Sequence, residues 1–321
     1  MKVMIVGVGV IGTIYGWALS SAGHDVIHFV RPGKASKYQD GILMDVLDKR
    51  GSRDSQFLGL YLPKTTETLD RNDHYDLVIF PIKHYQLADA LKQIAPQLEE
   101  TTNFLLLTQN WKGTGEIDPL LPKSRYLFGD AKAGGGFREE KLVCTIKAID
   151  LGQIDHRQDE CLKVAADLFA STKLRVTLQD NILHYLWVQY AINGGLWPSL
   201  VRAGSFEAVL SDRKLGEQGL FAVKECLEVV SRRGVDLNQY PDTKMYLDTS
   251  FISRQIAGIA LKWMFRHNEY VRRNSVHALS DPQEIKTFYY DLLKTGEELG
   301  VPMPVMAGFR QDIDNLSGFK K

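Results

Sequence analysis

Residues 6–12 read VGVGVIG, and the reading of this stretch decides the fold. It sets Gly7, Gly9 and Gly12 in the order GxGxxG. The apolar run KVMIV (residues 2–6) stands directly before it, with the length and β-branched content of a buried strand. The segment GTIYGWALSSAG (residues 12–23) follows and reads as a helix. Between a strand and a helix each glycine has a purpose. The first permits a tight turn, the second lets the backbone approach a pyrophosphate, and the third allows close helix–strand contact. The helix N-terminus, with Val10 and Ile11 in its first turn, faces the phosphate charge. The stretch therefore predicts a dinucleotide-binding (Rossmann) domain. A secretory signal would also open with a lysine and an apolar run, but the glycine spacing has no place in one.

The next strand, DVIHFVR (residues 25–31), bears on the nucleotide. A strand that ends in Asp or Glu holds the ribose 2′-hydroxyl of NAD. Here Arg31 stands in that place, with Lys34 and Lys37 close behind. A guanidinium and two ammonium groups suit a 2′-phosphate, so the expected cofactor is NADP(H). Later strand ends are expected to line the same crevice. YDLVIF (75–80) leads to Lys83, with Gln86 on the following helix, and TNFLLLTQN (102–110) leaves Gln109 and Asn110. RYLFGDAKAGGG (125–136) reads as a short strand running into a glycine-rich loop that carries Lys132.

Short apolar runs alternate with amphipathic segments up to LRVTLQD (174–180), which predicts a parallel sheet covered on both faces. Asp180 or Asn181 can then cap a helix, and strand-like runs cease. Helical spacing governs residues 206–234, 250–273 and 281–300. The expected architecture is α/β: a Rossmann NADP-binding domain over 1–179 and an all-helical substrate and dimerisation domain over 180–321. The 39 basic and 39 acidic residues cancel, which argues against a general nucleic-acid binder. The basic, aromatic stretch KWMFRHNEYVRR (262–273) accordingly reads as a domain or subunit face. Cys144, Cys161 and Cys226 form no CxxC pair and read as buried, inert thiols of a reduced, cytoplasmic protein. No uninterrupted run of eighteen apolar residues predicts a membrane span, and the histidines show no HxH or HExxH spacing for a metal.

The helix LWVQYAINGG (186–195) is unusual. Gln189 and Asn193 share one face of an apolar helix, and Gly194 and Gly195, which follow, are expected to bend it.

Together these pieces resemble the ketopantoate reductase (2-dehydropantoate 2-reductase) family. The resemblance runs through GVGVIG (7–12), Arg31, IKHYQLADAL (82–91), TQN (108–110) with Gly113, WVQYAIN (187–193), QEI (283–285) and ELGVPMP (298–304). It implies an NADPH enzyme that reduces a branched 2-oxo acid to a 2-hydroxy acid, with the substrate between a Rossmann domain and a helical domain of the 6-phosphogluconate dehydrogenase-like type. It also implies a homodimer. In the family a lysine on the first helix of the second domain is the general acid, and a glutamate on a late helix serves the site. Lys83, Gln86 and Asn110 match cofactor-side positions, Asn193 a substrate-holding asparagine, and Glu284 the glutamate.

The departures fall at the chemistry. Gln189 stands where the family has its lysine, and Trp197 where it has a second asparagine. The family's serine falls by register at Arg272, Arg273 or Asn274. Glutamine donates a hydrogen bond but brings neither charge nor a proton. Either Lys132 or an arginine supplies the missing charge, or Lys132 meets a cofactor phosphate or solvent. The function readings are a 2-oxo acid reductase, an NADPH-binding sensor without catalysis, and a dehydrogenase for another hydroxy or amino acid.

Overall fold

The structure is a computed structural model that describes residues 1–154, 159–248, 262, 263, 265–275, 279 and 281–316. The chain divides into two compact units, Met1–Leu183 and His184–Lys321.

The first unit is built on one ten-stranded sheet. Its strands are β1 (Lys2–Val6), β2 (Asp25–Phe29), β3 (Ile42–Asp48), β4 (Ser55–Tyr61), β5 (Lys64–Thr66), β6 (Leu77–Phe80), β7 (Asn103–Leu107), β8 (Tyr126–Arg138), β9 (Lys141–Gly152) and β10 (Arg175–Gln179). Their order is β4-β3-β9-β8-β7-β6-β1-β2-β5, with β10 on β9. Strands β2, β1, β6, β7 and the first part of β8 run parallel, as the continuous apolar runs require. Val3, Ile5, Leu77, Ile79, Leu105 and Leu127 form the buried centre of this region. The helices of this unit are α1 (Val10–Ser21), α2 (His84–Ile94) and α3 (Asp159–Ala170).

Two features differ from the sequence reading. First, the sheet is mixed, because β3–β4 and β8–β9 pair antiparallel. The β3–β4 hairpin keeps one face in solvent, where Leu43, Leu58 and Leu60 are exposed. It therefore alternates instead of running apolar throughout. Second, the glycines at 134–136 form no loop. They lie inside the thirteen-residue β8, in register with Thr145, Cys144 and Val143 of β9. A Cβ on Gly135 would lie 2.2 Å from the Val143 carbonyl oxygen, so these glycines serve the close approach of β9. Lys132 is consequently mid-strand, beside a β-bulge at Lys132/Ala133.

Among the described residues the second unit is helical. It contains α4 (Ile182–Ala203, begun in the first unit), α5 (Phe206–Ser211), α6 (Arg213–Arg232), α7 (Lys244–Leu247), α8 (Glu269–Ser275), α9 (Pro282–Glu298), α10 (Pro304–Ala307) and α11 (Arg310–Asp314). Most of the helix expected over 250–273 lies outside the described residues, as do His156 and His277. Helix α4 runs unbroken through Gly194 and Gly195. A Cβ on Gly195 would stand 2.6 Å from Val223 Cα of α6, and one on Gly194 2.4 Å from Leu292 Cδ1 of α9. The two glycines let neighbouring helices approach α4. The three cysteines are buried and free. No described helix is long and apolar enough to cross a membrane.

Candidate functional site

The glycine turn sits at the C-terminal end of β1, where open α/β sheets bind ligands. Gly7 has φ +90, a conformation that side chains rarely adopt. Gly9 is the N-cap of α1, and a Cβ there would meet nothing within 4 Å. Gly12 touches the strand instead, with Gly7 O, Ile5 Cγ2 and Pro81 Cγ all 3.2 Å from a Cβ on it. Helix α1 has no side-chain cap and no acidic residue in its first turn. The N–H groups of that turn, at Val10 and Ile11, therefore meet no carboxylate from the turn itself. An uncapped helix end under an open glycine fits a pyrophosphate.

The turn is held from below. Gly7 N–H donates to Phe29 O at 2.8 Å, and His28 Nδ1 lies 2.8 Å from Gly7 O. A carbonyl can only accept, so Nδ1 carries the proton and Nε2 accepts from Tyr61 Oη at 2.9 Å. His28 is fully buried, and burial lowers its pKa against the opposing effect of the Gly7 bond. Burial pushes the Tyr61 phenol up to about 12. The pair fits only because Gly16 has no Cβ, which would lie 2.5 Å from His28 Nε2. The sequence reading did not single out His28. Its signal was a lone histidine inside an apolar strand, with a further glycine four residues after Gly12.

Arg31 is exposed just beyond β2, in a turn closed by Lys34 N–H to Arg31 O at 3.1 Å. Lys34 and Lys37 are exposed nearby in sequence. Lys83 is the N-cap of α2 and half-buried, while Gln86 is exposed in the first turn. Between them His84 is pushed down to about 4, by burial and then by the charges of Lys112 and Lys83. Asn110 is 6% exposed, and its amide closes a turn. Its Nδ2 donates to Gly113 O at 2.6 Å, and its Oδ1 accepts from Gly113 N at 3.0 Å.

Lys132 is engaged by two carboxylates, Asp130 Oδ2 at 2.6 Å and Asp150 Oδ2 at 3.4 Å. Asp130 and Asp150 stand directly opposite each other on β8 and β9, a destabilising arrangement for like charges. The ammonium offsets them, while Gln109 and Gln179 donate to Asp130 and Asp150.

In the second unit Gln189 and Asn193 are half-buried, and with Leu196 and Trp197 they form the partly open stripe of α4. Trp197 packs on Phe288 at 4.6 Å, and Phe288 stacks on Tyr190 at 3.6 Å. Tyr190 Oη donates to Asp291 Oδ2 at 2.9 Å. Its pKa is raised by burial, then by the charge and hydrogen bond of Asp291 and last by the charge of Glu284. Glu284 is half-buried in the first turn of α9, with its N–H capped by Asp281 at 3.1 Å. Arg273 pairs with Glu269 at 2.7 Å, while Arg272 donates to Arg266 O. Asn274 is half-buried. No group of metal-binding side chains occurs among the described residues.

The structure thus brings together Gly7, Gly9, Gly12 and the first turn of α1 in one unit, and Gln189 and Asn193 in the other.

Residues 3–156 match the family model for ketopantoate reductase PanE/ApbA. The 2-dehydropantoate 2-reductase of Pyrococcus abyssi is 24% identical over 246 residues, covering 75% of this chain and 77% of that protein. That of Aquifex aeolicus is 27% identical over 215 residues, or 62% of each chain. Among solved structures, 2-dehydropantoate 2-reductase from Geobacter metallireducens superposes with TM-score 0.75 at 18% identity, over 99% of this chain and 100% of that one. D-mandelate dehydrogenase with NADH and anilino(oxo)acetate gives TM-score 0.75 at 14% identity, over 98% and 97%. At these identities the superpositions establish the fold.

Proposed function

We propose that the chain, whose residues 3–156 match the family model for ketopantoate reductase PanE/ApbA, reduces a 2-oxo acid to a 2-hydroxy acid with NADP(H). The observation that carries this reading is the open Gly9 turn over the uncapped end of α1. In this reading the N–H groups of Val10, Ile11 and Gly12 receive the pyrophosphate. Arg31, with Lys34 and Lys37, receives the 2′-phosphate, and Lys83, Gln86 and Asn110 lie toward the nucleotide. The cofactor, when bound, supplies the hydride.

The second unit supplies hydrogen bonds to the oxo acid. Gln189 donates its amide N–H toward the ketone oxygen, and Asn193 serves the carboxylate or the nascent hydroxyl. Glu284 is the group in this set able to relay a proton. None of the three brings positive charge to the alkoxide that hydride transfer creates. Losing a general acid costs ~10²–10⁴ in rate, so turnover of ketopantoate itself is expected to be slow. Lys132 is ill suited to replace it, since two aspartates already offset its charge.

Calorimetric titration with NADPH, followed by oxidation assays over a panel of 2-oxo acids, tests the proposal. Absence of NADPH binding refutes it. A cofactor-bound crystal soaked with the best oxo acid tests whether Gln189 and Asn193 reach the substrate. A second reading, a nucleotide-binding protein without turnover, is favoured by Gln189 and by the engaged state of Lys132 and Arg273. It predicts NADPH binding with no oxidation by any oxo acid.

A further inference from the structure

The loop that follows β2 is occupied by a carboxylate from elsewhere in the chain. The three-residue β5 pairs with β2 so that Thr66 stands opposite Phe29, and Val30 N–H continues the ladder to Thr66 O at 2.9 Å. This register delivers the next residue, Glu67, to the loop that carries Arg31. Glu67 Oε1 accepts from Ala35 N–H at 2.7 Å, and the backbone N–H groups of Gly33 and Lys34 lie close enough to favour its charge. Gly33 has φ +74, which turns successive N–H groups to one side. Successive N–H groups converging in this way form an anion nest, the kind of concavity that phosphates use. The Ala35 hydrogen bond, followed by the nearby N–H of Gly33, holds the Glu67 carboxyl below its ordinary range.

We propose that Glu67 is a selectivity residue: by filling the Gly33–Ala35 nest with a negative charge, it holds down the preference of the Arg31 loop for NADPH over NADH. Two charges of opposite sign then govern one loop. Arg31 attracts a 2′-phosphate. Glu67 repels it and withholds the Ala35 backbone donor from it. A ribose 2′-hydroxyl meets no such repulsion, and carboxylates accept hydrogen bonds from that hydroxyl in NAD-binding folds. The chain is accordingly less selective than its arginine alone implies. This inference rests on the proposal that the glycine turn binds a nicotinamide dinucleotide.

The test is direct binding. The full chain, its Glu67→Gln variant and its Arg31→Ala variant are titrated calorimetrically with NADPH and with NADH. Glu67→Gln keeps the shape and removes the charge. It is expected to tighten NADPH about three- to tenfold, with NADH unchanged or weaker, and the gain shrinks between about 50 and 500 mM salt. Arg31→Ala is expected to weaken NADPH alone. A Glu67→Gln ratio within about twofold of wild type overturns the inference and leaves the function proposal standing. So does equal weakening of both nucleotides, which marks Glu67 as a mere loop support. If the wild type binds neither nucleotide, both fail. Glu67→Asp, which keeps the charge, is expected to stay close to the wild-type ratio; a ratio matching Glu67→Gln would count against the charge argument.

Discussion

Replacing Gly195 by alanine places a methyl group against the backbone of α6. The added Cβ would lie 2.6 Å from Val223 Cα and 2.7 Å from Val223 N. Carbon contacts settle near ~3.5–4.0 Å, so α6 must retreat by about 1 Å. Overpacking of this kind costs ~1–3 kcal/mol. Alanine returns ~1 kcal/mol through helix propensity. The net expectation is a loss of about 0–2 kcal/mol, centred on ~1 kcal/mol. Gly194→Ala is the internal control. Its Cβ meets Leu292 Cδ1 at 2.4 Å, but that atom ends a flexible side chain. A rotamer adjustment of about 1 kcal/mol cancels the propensity gain, and the variant should be near neutral. Urea titrations followed by far-ultraviolet circular dichroism compare the two variants with wild type. Gly195→Ala matching Gly194→Ala, or exceeding wild type, would refute the close-crossing account and return the glycines to the role of a bend.

Other expectations follow from the first unit. Lys132→Met removes the ammonium that pairs with both Asp130 and Asp150; because the lysine side chain is 30% exposed, the loss is discounted to about 1–3 kcal/mol, readable by urea titration. Stability unchanged by that substitution would remove the ion cluster from the structural account. Asn110→Asp keeps the acceptor for Gly113 N–H but turns a charged oxygen toward Gly113 O, so about 1–3 kcal/mol should be lost in thermal melts. His28 and His84 both titrate below 6.5 in the folded chain, because burial favours their neutral forms. The unfolded chain then binds more protons, so their contribution is complete above about 6.5 and declines as pH falls toward about 4. His74 is shifted the opposite way by Glu99 and Asp76, but it is exposed and screened. Denaturation midpoints measured at several pH values check the sign, and a midpoint that rises on acidification through that window contradicts it.

The glycine turn was legible because everything that defines it is local. Strand, glycine spacing and helix lie within the first two dozen residues, and nothing distant alters their meaning. Lys132 was not legible in the same way. Its position depends on β9, and one of its partners, Asp150, stands eighteen residues further along the chain. Read alone, glycines after an apolar run suggest a loop, whereas β9 makes them strand. The β3–β4 hairpin was missed because its solvent-facing leucines blur the alternation that marks such strands. Glu67 could not be found from spacing, since a three-residue strand carries no periodicity. The Arg273–Glu269 pair, four residues apart on one helix, could have been read, and it would have argued against Arg273 as a free carboxylate ligand. For α4 the amide pair was read correctly as sharing a face, but its neighbours supplied the reason for the glycines.

Strand β9 has a consequence for how the chain leaves the ribosome. It joins β8 on one side, and β3 and β10 on the other. Its register pairs Leu43 with Lys141, nearly a hundred positions apart. Such long-range pairing makes folding slow. Until β9 emerges, the β3–β4 hairpin has no neighbour on its β3 side, and the long glycine-bearing half of β8 has none on either. A nascent chain halted near residue 140 would therefore present open strand edges, the form of unfinished sheet most prone to associate with its own kind. Synthesis of the next dozen residues closes them, so translation speed through this segment bears on yield in a way that no equilibrium measurement on the finished protein would reveal.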